Sequence, residues 1–185
     1  MTSITDAPER AWAEVDLAAL ADNARTVARI SGVRLLPMIK ADAYGIGAPA
    51  AVRALAPLNP WGFGVATLEE AAALRAIGVA HPLVAFSPLH PGQIPSAIAH
   101  GIRPVIGDAA ALQAWNGACG GPFHAEIDTG MGRTGFRWDD AAGWRVLLGD
   151  AGACEGIFTH FHSAEADPGS LIIQWERLQA VVAAL

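Results

Sequence analysis

Apolar and polar positions along this chain switch repeatedly between two periods. Leu17, Leu20, Ala24, Val27 and Ala28 recur at helical spacing after Asp16, whose short carboxylate suits an N-cap. The apolar run at 34–40 then reads as a buried strand. After the turn Gly45-Ile46-Gly47 a second helix starts near Pro49, a residue that suits a first helical position. Further strands are predicted at 61–66, 83–86, 102–106, 123–127 and 155–160. Helices are predicted between them. One opens on Thr67-Leu68-Glu69-Glu70, a capping-box pattern, and ends at Gly78. Others span 93–100, follow the N-cap Asp108, span 139–148, and run from 169 to 185.

Strands that alternate with helices at this spacing pair in parallel, with helical crossovers. Two architectures are common outcomes, a doubly wound sheet and a (β/α)8 barrel. No Gly-x-Gly-x-x-Gly follows the first strand, which weakens the dinucleotide-binding version of the former. Lys40, Tyr44, Asp128, Arg133 and His160 all fall just after strand ends, where barrel enzymes keep their chemistry. The pattern supplies about six strand–helix units where a closed barrel needs eight. Val181-Val182-Ala183-Ala184-Leu185 breaks off in mid-helical pattern, so the chain reads as the front part of something longer.

Composition narrows the classes. Of 185 residues, 52% are apolar, enough for a sizeable core and too many for a disordered chain. The net charge is −6 and no basic run appears, so nucleic acid is not an expected partner. Charges and prolines interrupt every apolar stretch well short of the roughly 20 residues a membrane span needs. Residues 1–10 are polar, lack a signal-peptide core and read as a disordered tail ahead of a domain at 11–185. The only cysteines, Cys119 and Cys154, make no disulfide framework and point to a reducing cytoplasm. No thiol stands near His160 and His162, so no metal site is assigned.

Two runs carry candidate chemistry. In Met38-Ile39-Lys40-Ala41-Asp42-Ala43-Tyr44-Gly45 a lone lysine caps an apolar strand. A partly desolvated amine there has a lowered pKa and forms imines with carbonyl compounds, pyridoxal phosphate (PLP) among them. A strand-end lysine snorkelling into water fits the same run. In Glu126-Ile127-Asp128-Thr129-Gly130-Met131-Gly132-Arg133-Thr134-Gly135 the glycines let the backbone approach a ligand, and Arg133 offers a fork for an anionic oxygen. An ordinary surface loop with a solvated arginine is the competing reading. His160 ends the sixth strand, where it either faces a planar ligand or is satisfied by a neighbour.

Together these runs resemble the N-terminal part of alanine racemase, a PLP enzyme with a (β/α)8 TIM barrel. The likeness extends from Trp12-Ala13-Glu14-Val15-Asp16-Leu17, through Trp61-Gly62-Phe63-Gly64-Val65-Ala66-Thr67-Leu68-Glu69-Glu70, to Thr159-His160-Phe161. The resemblance implies that Lys40 holds PLP and serves as one of two racemising bases. It implies that Tyr44 hydrogen-bonds the cofactor phosphate. Arg133 would stand near the cofactor's phenolic oxygen and the substrate carboxylate, and His160 against the pyridine ring. The implied reaction interconverts L- and D-alanine, with D-alanine supplied to peptidoglycan by a cytoplasmic homodimer.

The sequence also departs from the family. Ile46 stands where a histidine is usual, and Glu126 stands where many members carry a carbamylated lysine. Glu126 is expected to supply that anion directly and to orient Arg133, an ordinary barrel residue being the alternative. Beyond Leu185 the resemblance leaves out the last two strands and a C-terminal β domain with the second base, a tyrosine. An open barrel would expose strand edges and apolar faces, so the chain alone is expected to be poorly soluble and unable to racemise. Related readings are a racemase of broader substrate, a D-amino-acid lyase, an amino-acid decarboxylase, and a non-catalytic PLP-binding fragment.

Overall fold

The computed structural model describes residues 13–140 and 143–185. The tail expected at 1–10 lies outside them. Helix α1 (Leu17–Ser31) is capped as predicted, with the Asp16 carboxylate accepting from the Ala18 and Ala19 amides at 2.9 Å. Then come α2 (Ala48–Leu55), β1 (Phe63–Val65), α3 (Leu68–Ala76), β2 (Leu83–Pro88), α4 (Ile94–Ala99), β3 (Arg103–Ile106) and α5 (Ala109–Gly117). The chain continues through β4 (Phe123–Asp128), β5 (Phe136–Arg137), α6 (Arg145–Gly149), β6 (Cys154–Phe158) and α7 (Pro168–Ala183).

All strand pairings are parallel, in the order β1-β2-β3-β4, with β5 and β6 both on β4. The predicted strand at 34–40 is only partly realised, as a single bridge from Met38 to Gly64. Its carbonyls and amides still pair with the β1 side: Trp61 donates to Leu35, Gly64 to Pro37, and Ile39 to Gly64. Pro37 has no N–H to donate, so no continuous ladder forms.

The two faces of the sheet differ. Phe63, Val65, Leu83, Ile106, Phe123, Ala125 and Ile127 are buried on the helix-covered face, where they form the core with Leu68, Ala71, Leu112, Trp115 and Leu148. The other face is concave. Phe86 of β2 meets Phe158 of β6 edge-on at 5.2 Å, although β3 and β4 lie between them. Only a strongly curled sheet brings those rings together, as barrel curvature requires. Gly64 belongs to this interior: a Cβ there would lie 2.2 Å from Met38 Sδ.

Two further elements differ from the sequence expectation. The helix expected at 139–148 is helical only at Arg145–Gly149 among the described residues. The Asp140 amide turns back to the Arg137 carbonyl, and Arg137 pairs with Asp139 at 2.8 Å, which favours a turn there. Strand β5 was not foreseen. Just before it, Gly135 packs against Gly107 so closely that a Cβ on Gly107 would stand 2.6 Å from Gly135 Cα.

Candidate active site

Period-two alternation fixes what reaches the carboxyl rim of the concave face. Register pairs Glu126 with Phe158, so both share that face with Phe86. Two residues further along, at the rim, come Asp128 and His160; two residues after Met38 comes Lys40. The rim therefore gathers the candidate residues of three separate strand ends.

Lys40 is half-buried and makes no salt bridge among the described residues. Its Nζ lies 5.9 Å from the centroid of the Tyr44 ring, which is itself 65% exposed. The chain between them is not an ordinary turn. Ala41, Asp42, Ala43 and Tyr44 all have φ between 50° and 56°. Four consecutive left-handed L-residues are rare, because each brings its Cβ against the following carbonyl oxygen.

The loop after β4 is organised by its own acid. Asp128 Oδ1 accepts from the Gly130 and Gly132 amides, each at 3.0 Å. Arg177 of α7 donates to the Thr129 carbonyl at 2.7 Å while its guanidinium stacks 4.6 Å from the Trp138 ring. Arg133 is exposed at the tip and makes no salt bridge among the described residues. Glu126 is buried, only 6% exposed, and its carboxylate accepts from the Thr134 hydroxyl at 2.6 Å. The expected ion pair between Glu126 and Arg133 is thus not formed in this structure. Glu126 reaches the residue next to Arg133, because it sits inside the strand while Arg133 projects from the loop.

His160 is exposed just past β6. The strand end is tied to its neighbour by a 2.8 Å bond between the Thr129 and Thr159 hydroxyls. Gln174, fully buried in α7, accepts from the His162 amide at 3.0 Å and donates to the His162 carbonyl at 3.1 Å. Thr134, Arg177 and Gln174 escaped sequence reasoning.

These groups suit PLP in their donor chemistry. A half-buried amine without an ion partner among the described residues is available to an aldehyde, and an exposed hydroxyl and guanidinium are available to anionic oxygens. Among the described residues no three His, Cys, Asp or Glu side chains cluster to hold a metal, and no helix is long and apolar enough to cross a membrane.

Comparison with known proteins gives these groups a context. An alanine racemase of Deinococcus radiodurans is 37% identical over 183 residues, covering 95% of this chain and 50% of the relative. One of Symbiobacterium thermophilum is 37% identical over 185 residues, covering 94% and 48%. The crystal structure of alanine racemase from E. faecalis superposes with a TM-score of 0.82 at 29% identity, over 92% of this chain and 49% of that one. The chain thus spans about half the length of the curated relatives it matches, and its curled parallel sheet is part of their TIM barrel. The profile described as "Alanine racemase, N-terminal domain" matches residues 15–185, and the chain belongs to the alanine racemase family.

Proposed function

We propose that the protein carrying this chain is a PLP-dependent alanine racemase that interconverts L- and D-alanine. The observation that carries this reading is Lys40, a half-buried amine with no ion partner among the described residues, at the carboxyl rim of the curled sheet, in a chain of this family. PLP, when bound, supplies a conjugated ring that spreads negative charge away from the substrate α-carbon.

The remaining tasks fall to the chain. Lys40 Nζ binds the cofactor and takes or returns the α-proton from one side, which calls for an amine kept out of ion pairs and partly out of water. Arg133 binds the substrate carboxylate through its guanidinium fork. Tyr44 would hold the cofactor phosphate through its hydroxyl, and His160 would pack against its ring. Inversion needs a second proton donor on the opposite side. In this proposal a tyrosine in the rest of the protein, contributed by the partner subunit of a homodimer, supplies it. The D-alanine made in the cytoplasm would feed peptidoglycan synthesis.

The test is chemical trapping. The protein is mixed with PLP, reduced with borohydride, digested and analysed by mass spectrometry. A single pyridoxyl group on Lys40, absent in Lys40→Ala, is the expected result. Labels scattered over other lysines or amines, with none on Lys40, would sink the assignment.

A further inference from the structure

The left-handed turn directly after Lys40 needs an explanation. Each of its residues costs about 1–2 kcal/mol relative to the right-handed conformation, so the turn persists only where its surroundings over-determine it. Its far side is held locally. Asp42 accepts from the Ala48 amide through its side chain at 2.6 Å and from the Gly47 amide through its carbonyl at 2.8 Å. Its near side is the peptide joining Lys40 to Ala41, and the partner there comes from 29 residues away. The Ala41 amide donates to Glu70 Oε1 at 2.8 Å. The other oxygen of the same carboxylate, Oε2, accepts from the Ala66 amide at 2.7 Å.

Glu70 therefore does something its sequence position does not announce. Three residues after Thr67 it looks like one half of a capping box. The other half is formed as expected, with Thr67 Oγ accepting from the Glu70 amide at 3.3 Å. The Glu70 carboxylate instead bridges the segment that carries Lys40 to the end of β1. Each amide meets a different oxygen of the one side chain, an arrangement that a carboxylate offers and that an amide, with an NH2 in place of one oxygen, does not.

We infer that Glu70 is a positioning residue for Lys40. By fixing the Lys40–Ala41 peptide against the end of β1, it starts the left-handed turn and sets where the Lys40 amine sits at the rim. This rests on the proposed role of Lys40 as the cofactor lysine. It adds a residue that touches neither cofactor nor substrate.

The experiment compares Glu70→Gln with Thr67→Ala, which weakens the cap of the same helix without touching the Lys40 turn. Glu70→Gln presents an NH2 group to one of the two amides. Glu70→Asp keeps the charge but is one methylene too short to span both. Urea unfolding matches the variants for stability. The first readout, without PLP, is amide hydrogen exchange, expected to quicken at Ala41 or Ala66 in Glu70→Gln, at both in Glu70→Asp, and to stay unchanged at Ala41 in Thr67→Ala. The second is the rate of pyridoxyl labelling of Lys40 at limiting PLP. It is expected to drop about tenfold in the Glu70 variants, the size of one lost charge-assisted bond. In Thr67→Ala it should stay within about twofold of the parent, as for a cap alone. Labelling in Glu70→Gln that matches the parent, or that falls only in step with Thr67→Ala, overturns the inference. Exchange unchanged at both Ala41 and Ala66 in Glu70→Gln overturns it as well. A parent protein with no label on Lys40 would instead overturn the cofactor assignment, and the exchange readout would still judge the Glu70 bridge.

Discussion

At the scale of single residues, Glu126 shows how position and partner separate. The alternation of β4 places it on the concave face, and burial then demands a donor. Thr134 supplies that donor from the returning loop, one residue past Arg133. Glu126 is thus tied to the residue after Arg133 and not to the Arg133 guanidinium. Replacing Thr134 by valine would leave a buried carboxylate short of its bond and should cost about 1–3 kcal/mol of stability in urea unfolding. Glu126→Gln keeps a carbonyl acceptor for the hydroxyl. It should cost less stability yet still lower racemase activity in the complete protein, read as a rise in KM for alanine. Unchanged kinetics would show that Glu126 is only a packing residue. The strand-end positions of Lys40, Arg133 and His160 were legible in the sequence, because apolar runs end where polar residues begin. The partners of these residues come from other elements and were not.

At the scale of elements, the amino ends of the strands hold a second polar group, opposite the candidate site. Arg103 of β3 pairs with Glu155 of β6, and its guanidinium lies 5.6 Å from the Trp61 ring centroid. His124 of β4 stands between them, with its ring 5.2 Å from that of Trp61. Its Nε2 is buried with no hydrogen-bond partner among the described residues, 3.8 Å from Glu155. Burial holds the imidazole below its ordinary pKa. The Glu155 charge pulls it the other way, and burial prevails. The Arg103 hydrogen bond holds the Glu155 carboxyl below its usual range. Both groups bind protons more readily when unfolded, so both lose stability toward acid. The His124 contribution is complete above the ordinary histidine value near 6.5 and is lost as pH falls from there toward the folded value. The Glu155 contribution follows at lower pH, below the usual carboxylate value near 4.5. Thermal unfolding of His124→Gln should show a flatter pH dependence just below 6.5 than the parent. An identical slope would mean that another group governs that range.

At the scale of the whole molecule, the sheet is curled but open. Among the described residues, strand β6 pairs with β4 alone and the segment at 34–40 pairs toward β1 alone, so each borders the sheet. Ile172, Trp175 and Val182 stand exposed along α7, as do Val27 and Ile30 on α1. Apolar faces of this kind associate in water. The 185-residue chain by itself should elute as concentration-dependent aggregates in size-exclusion chromatography with light scattering, and should not racemise alanine. A monodisperse, fully active 185-residue protein would overturn both expectations.

What the sequence determined by itself was local and periodic: the strand–helix alternation, the caps at Asp16, Thr67 and Asp108, the parallel pairing, and the polar residues at strand ends. Each follows from side-chain chemistry within a few residues. The tertiary structure decided the rest. The left-handed turn at Ala41–Tyr44 contains no glycine to announce it and depends on a carboxylate from another helix. Strand β5 follows two glycine backbones in contact, and the helix expected at 139–148 gives way to an Arg137–Asp139 turn. The pairing at 34–40 shrinks to one bridge because a proline withholds its donor. These outcomes rest on bonds between distant segments, which no local pattern of residues encodes.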